Sequence, residues 1–100
     1  MPFAVRIVPS ALAELKGIKV YYRRQIVLAI EEQLPQQPLV ETRNRKVLEN
    51  SSASFEYEPP LWELRVGTFR VFYDVDEAGE VVFVRAVREK PPPAETEDVL

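Results

Sequence analysis

The segment from Leu61 to Val87, LWELRVGTFRVFYDVDEAGEVVFVRAV, constrains the fold more than any other part of the chain. Apolar residues recur at every second position and are interrupted twice by turn chemistry, at Gly67-Thr68 and at Asp76-Glu77-Ala78-Gly79-Glu80. That pattern predicts a three-stranded antiparallel meander. A two-residue turn at Gly67-Thr68 pairs Trp62 with Tyr73, Leu64 with Val71 and Val66 with Phe69, which makes one face apolar. A second hairpin centred on Ala78-Gly79 continues this face with Tyr73 opposite Val84, Val75 opposite Val82 and Val71 opposite Ala86. The other face collects Glu63, Arg65, Arg70, Phe72, Asp74, Phe83, Arg85 and Val87. There Arg65 lies opposite Arg70, while Arg85 faces Phe72 and sits diagonally beside Arg70.

Three converging guanidiniums repel one another unless carboxylates interleave or an anion binds. One reading is that Glu63 and Asp74 pair with them as surface salt bridges, each worth about 0 to 1 kcal/mol. The other is a bidentate grip on phosphate, with Phe72 and Phe83 as stacking rings beside it, the ingredients of a single-stranded nucleic-acid surface.

Upstream, Phe3, Val5 and Ile7 alternate with Ala4, Arg6 and Val8 in a strand that Pro9 stops. Ser10 is placed to cap a short helix, ALAELK, closed by Gly17. From Lys19 to about Leu34 the recurrence of Tyr22, Ile26, Ala29 and Ile30 predicts a second helix, with Pro35 after its end. Tyr21 and Leu28 fall on the far side of that helix, either as incidental surface apolars or as a patch covered by a partner chain. Residues 35–60 read as connection and contain a basic segment, ETRNRKVLEN, with Arg43, Arg45 and Lys46 close together.

The chain has 100 residues, 46% of them hydrophobic and 29% charged, the composition of one small globular domain. It has no cysteine and no histidine, which removes disulfides, thiolate zinc sites and imidazole general bases. No metal or cofactor is expected. The net charge of −3 is concentrated in the last ten residues, PPPAETEDVL, which hold Glu95, Glu97 and Asp98 and no base. Residues 1–90 therefore form a neutral domain and residues 91–100 an acidic, Pro-rich tail expected to be flexible, or to fold back over the arginine face as a phosphate mimic. The start, MPFAVRIVPS, lacks the features of a signal peptide, and no apolar run reaches membrane-spanning length, so a cytoplasmic protein is expected.

The order strand, two helices, basic linker and three-stranded meander, together with the phrase Leu-Arg-Val-Gly, a short turn, Phe-Arg-Val-Phe-Tyr and an acidic turn, resembles the RelE/ParE toxins of bacterial type II toxin–antitoxin systems. The resemblance spans about residues 3–90 and is most specific over 61–87. It implies a compact α+β domain and, in the RelE branch, a metal-independent endonuclease that cuts messenger RNA in the ribosomal A site. In the ParE branch it implies a DNA gyrase inhibitor without nuclease activity, and a third outcome is a non-toxic relative that only binds antitoxin. By position Arg70 and Arg65 match phosphate-binding cations of the family, and Arg88 or Lys90 a further one. Glu63 stands where the nucleases often carry lysine and either supplies a carboxylate base or leaves the base missing, and the C-terminal tyrosine of some relatives has no counterpart. Arg43, Arg45, Lys46, Arg85, Arg88 and Phe72 complete the expected RNA-contacting set, and Tyr21 and Leu28 the antitoxin-binding one. The resemblance further implies a monomer, or a hetero-oligomer with a cognate antitoxin.

Overall fold

The computed structural model describes residues 2–49, 52–91 and 94–100. The first serine of the SSAS turn, Ser51, and two prolines of the tail, Pro92 and Pro93, lie outside them. The elements in chain order are β1 (Ala4–Ile7), α1 (Pro9–Lys16), α2 (Val20–Gln33), β2 (Arg45–Leu48), β3 (Leu61–Val66), β4 (Phe69–Asp76) and β5 (Val81–Glu89), followed by a 3-10 turn at Thr96–Asp98. One mixed five-stranded sheet runs in the order β1-β5-β4-β3-β2, with β1 parallel to β5 and the other pairs antiparallel. This is the expected α+β class with one strand more than expected. β2 arises from the RNRKVL stretch of the supposed connection, where four residues alternate between the two faces of the sheet.

Helix α1 starts two residues earlier than expected, with Pro9 in its first turn and Val8 as cap. Proline's fixed φ and missing N–H suit the first helical position, so Ser10 lies inside the helix and does not cap it. Both helices cover one side of the sheet. Ala11 and Leu15 of α1 and Ile26 and Ile30 of α2 pack with Trp62, Leu64, Val71, Tyr73, Val82 and Val84.

The first hairpin has the predicted register, Trp62↔Tyr73 through Val66↔Phe69. Gly67 takes φ 58° at its first turn position, which glycine adopts without a Cβ clash. In the second turn Glu80 has φ 54°, and a Cβ on Gly79 would lie 2.6 Å from Asp76 Oδ2. The Gly79 N–H donates to Asp76 Oδ1 at 3.1 Å, so the aspartate and the glycine close this turn together.

The second hairpin departs from expectation part-way along. Val75↔Val82 and Tyr73↔Val84 hold, but Phe72 pairs with Ala86 and Val71 with Val87. Arg85 is the extra residue of a β-bulge. Beyond it each residue of β5 exchanges faces, so Val87 joins the helix-side core and Ala86 the opposite side. That opposite side carries a smaller core of Leu61, Phe72 and Ala86, covered by Phe55 and Tyr57 of the loop before β3 and by Val99 and Leu100.

Candidate functional site: an arginine rung under the C-terminal segment

The bulge decides which arginines meet. Arg65 pairs with Arg70 across β3 and β4, and Arg70 pairs with Arg88 across β4 and β5. Three arginines thus occupy one rung of the sheet on its helix-free face. Arg65 is exposed, Arg70 is buried and Arg88 half-buried. Arg85, expected beside Arg70, is displaced one rung and grips Asp74 with Nε–Oδ2 2.8 Å and Nη2–Oδ1 3.2 Å, its guanidinium 4.9 Å from the Phe83 ring centre. Asp74 also accepts the Glu58 N–H at 2.8 Å.

On the next rung, Glu63 pairs with Phe72 of β4 on one side and Lys46 of β2 on the other. Glu63 is 1% exposed, and its Oε1 lies 3.3 Å from Arg70 Nε. This N–H is not aimed at the oxygen well enough to count as a hydrogen bond, so the contact is an ion pair. Arg70 Nη1 donates to the carbonyls of Gly67 (2.9 Å) and Phe69 (2.8 Å). Burial lowers the Arg70 pKa, the Glu63 carboxylate counters that fall, and Arg65 adds to it. The remaining Glu63 oxygen, Oε2, accepts the Thr96 hydroxyl at 2.8 Å.

Residues 94–100 therefore lie against this face through neutral groups. Thr96 binds Glu63, the Val99 carbonyl accepts from Arg88 Nη1 at 2.9 Å, and Val99 and Leu100 pack on the small core. Glu95 and Asp98 are engaged with each other's backbone in a capping box around the 3-10 turn. None of the ion pairs among the described residues joins the acids of the tail to an arginine.

The remaining sequence-predicted residues are dispersed. Arg43 and Lys46 are exposed and Lys90 is half-buried just past β5, its N–H donating to Thr68 O at 2.6 Å. Arg45 points to the helix side, is 4% exposed, and donates to Val40 O (3.1 Å), Gln33 Oε1 (2.7 Å) and Gln37 Oε1 (3.2 Å). Its register opposite Leu64 puts it on the core face, away from the arginine rung. Phe72 is fully buried beneath Phe55, with ring centres 5.9 Å apart, and presents no surface for a base. Tyr21 and Leu28 are exposed on α2, as expected.

Sequence reasoning missed Glu14, Ser54 and Thr96. The one available signal was the adjacent apolar pair Ala86-Val87, which breaks the alternation of β5 and marks the bulge that brings Arg88 within reach of Glu14 and Ser54. Among the described residues no group of three or more Asp, Glu, His or Cys side chains is arranged to hold a metal ion. No helix among them is long and apolar enough to cross a membrane.

A mixed five-stranded sheet with two helices on one side defines a small α+β domain of a kind seen in toxin–antitoxin structures. The fold is similar to the RelBE2 toxin–antitoxin complex of Mycobacterium tuberculosis (TM-score 0.67, 23% identity, 90% of this chain and 100% of that one). It is likewise similar to the RelE–RelB complex of Pyrococcus horikoshii (TM-score 0.69, 18% identity, 92% and 99%). A free-state mutant of E. coli RelE aligns with TM-score 0.66 and 25% identity over 90% of this chain and 84% of that one. No curated protein matches the chain. Residues 5–90 match the family model described as the ParE toxin of the type II toxin–antitoxin system parDE, and the chain belongs to this family, within the RelE/ParE superfamily of toxins.

Proposed function

We propose that this toxin acts on messenger RNA in the ribosomal A site as a metal-independent endonuclease, with the Arg65–Arg70–Arg88 rung as its phosphate grip. The observation that carries this reading is the pairing of three arginines on one rung beside a carboxylate, Glu63. In such a reaction the ribose 2′-oxygen attacks the adjacent phosphorus, the bond from phosphorus to the 5′-oxygen breaks, that oxygen leaves as a hydroxyl by taking a proton from solvent, and a 2′,3′-cyclic phosphate remains. Guanidiniums stabilise the charge that accumulates on the phosphorane. With Thr96 withdrawn, Glu63 Oε2 becomes an acceptor for the 2′-hydroxyl proton, while Oε1 stays with Arg70. Lys90 lies past the end of β5 as a further cation, and Arg43 and Lys46 add phosphate contacts from the β2 side.

A second reading, binding and inhibition of DNA gyrase without chemistry, is favoured by one observation. In the closed arrangement both oxygens of Glu63 are engaged and the group is out of solvent, leaving no free base. In either case the toxin is held by a cognate antitoxin, for which Tyr21 and Leu28 on α2 offer an exposed apolar contact.

Mapping messenger 5′ ends on purified ribosomes with an empty A site separates the two. Cuts within the A-site codon, abolished by Arg70→Ala, support the nuclease. Intact messenger together with inhibited supercoiling by purified gyrase replaces it with the second reading.

A further inference from the structure

The β-bulge has a brace. Beyond Ile7↔Val84, β1 no longer lines β5, and α1 takes its place along that edge. There the Val87 N–H donates to Glu14 Oε1 at 3.1 Å, and Arg88 Nε donates to Glu14 Oε2 at 3.0 Å. One carboxylate therefore holds both the backbone just past the bulge and the guanidinium next to it. Arg88 Nη1 is steadied by Ser54 Oγ at 3.1 Å, and the guanidinium carbon lies 5.1 Å from the Phe55 ring centre. Glu14, Arg85 and Arg88 border a cleft of about 580 Å³ that opens between the start of α1 and the Phe55 loop.

We propose that Glu14 is a positioning residue for polyanion binding: it fixes the bulged edge of β5 and aims Arg88 at a phosphate next to those held by Arg65 and Arg70. This rests on the reading of the rung as a phosphate grip. A guanidinium tied on its Nε side by a carboxylate keeps its other N–H groups in a set direction, so less freedom is lost when an anion arrives. If Glu14 served only as a nearby negative charge, it would oppose RNA, and its removal would strengthen binding. The two roles predict opposite signs.

The test uses the full chain and a single-stranded RNA oligonucleotide at low salt. Glu14→Gln retains side-chain length and an acceptor oxygen for Val87. RNA affinity is expected to fall about three- to tenfold although the protein has lost a negative charge, and the Arg88 Nε–H resonance is expected to shift. In an Arg88→Ala background the same substitution should cause no further loss. Tighter binding by Glu14→Gln, or an unmoved Arg88 resonance, overturns the proposal. If Arg70→Ala and Arg88→Ala weaken binding while Glu14→Gln does not, the positioning role alone is lost. If neither arginine variant weakens binding, the phosphate-grip reading goes and the positioning role with it.

Discussion

Arg45 and Arg70 are both buried arginines, yet burial serves a different end in each. Arg45 spends three donors on Gln33, Gln37 and the Val40 carbonyl and ties α2 and the following turn to β2. Arg45→Met should cost about 2 to 3 kcal/mol in urea unfolding, because several buried acceptors lose a charged donor at once, and should leave RNA affinity unchanged. Tyr73, its neighbour on the core side, donates to Pro38 O at 2.7 Å. Burial raises the Tyr73 pKa well above its usual 10.0, with Arg45 opposing. Above pH 10 the unfolded chain loses this proton while the folded one keeps it. Stability should therefore fall by about 1.4 kcal/mol per pH unit there. Tyr73→Phe should remove this tyrosine's share of the slope at a cost of about 1 kcal/mol near neutral pH. None of this was legible in ETRNRKVLEN, where Arg43, Arg45 and Lys46 look alike; only the face assigned by pairing with β3 separates a structural clamp from surface charge.

At the scale of elements, the alternation in LWELRVGTFRVFY was enough to specify the first hairpin residue by residue, including Arg65 opposite Arg70. The second hairpin was read correctly only as far as Tyr73↔Val84, since the bulge adds one residue, Arg85, whose only trace in the sequence is the adjacent apolar pair Ala86-Val87. β2 was illegible for a related reason: four residues with a buried arginine at one end carry no clear period. The C-terminal segment engages Glu63 through the Thr96 hydroxyl and Arg88 through the Val99 carbonyl, and packs Val99 and Leu100 on the core of Leu61, Phe72 and Ala86. Deleting residues 91–100 should strengthen RNA binding by uncovering Glu63 and releasing Arg88 from the Val99 carbonyl. Neutralising Glu95, Glu97 and Asp98 in place should give a smaller gain, since it changes long-range charge and leaves Thr96 and Val99 in position. Equal affinities for the deletion and the parent chain would show that the segment does not shield the face.

For the whole molecule, the sheet divides two tasks. Its helix side holds the main core and, on the outer face of α2, exposes Tyr21 and Leu28; its opposite side holds the rung. Replacing both Tyr21 and Leu28 with glutamate should abolish co-purification with the antitoxin while leaving the thermal transition within a few degrees, because neither side chain contributes to the core. The most direct test of the arginine rung as a phosphate grip is an NMR titration that follows the arginine Nε–H resonances as single-stranded RNA is added to the chain truncated after Lys90. Arg65, Arg70 and Arg88 should shift together while Arg45 does not. Shifts confined to α2, or none in the three rung arginines at saturating RNA, would contradict it.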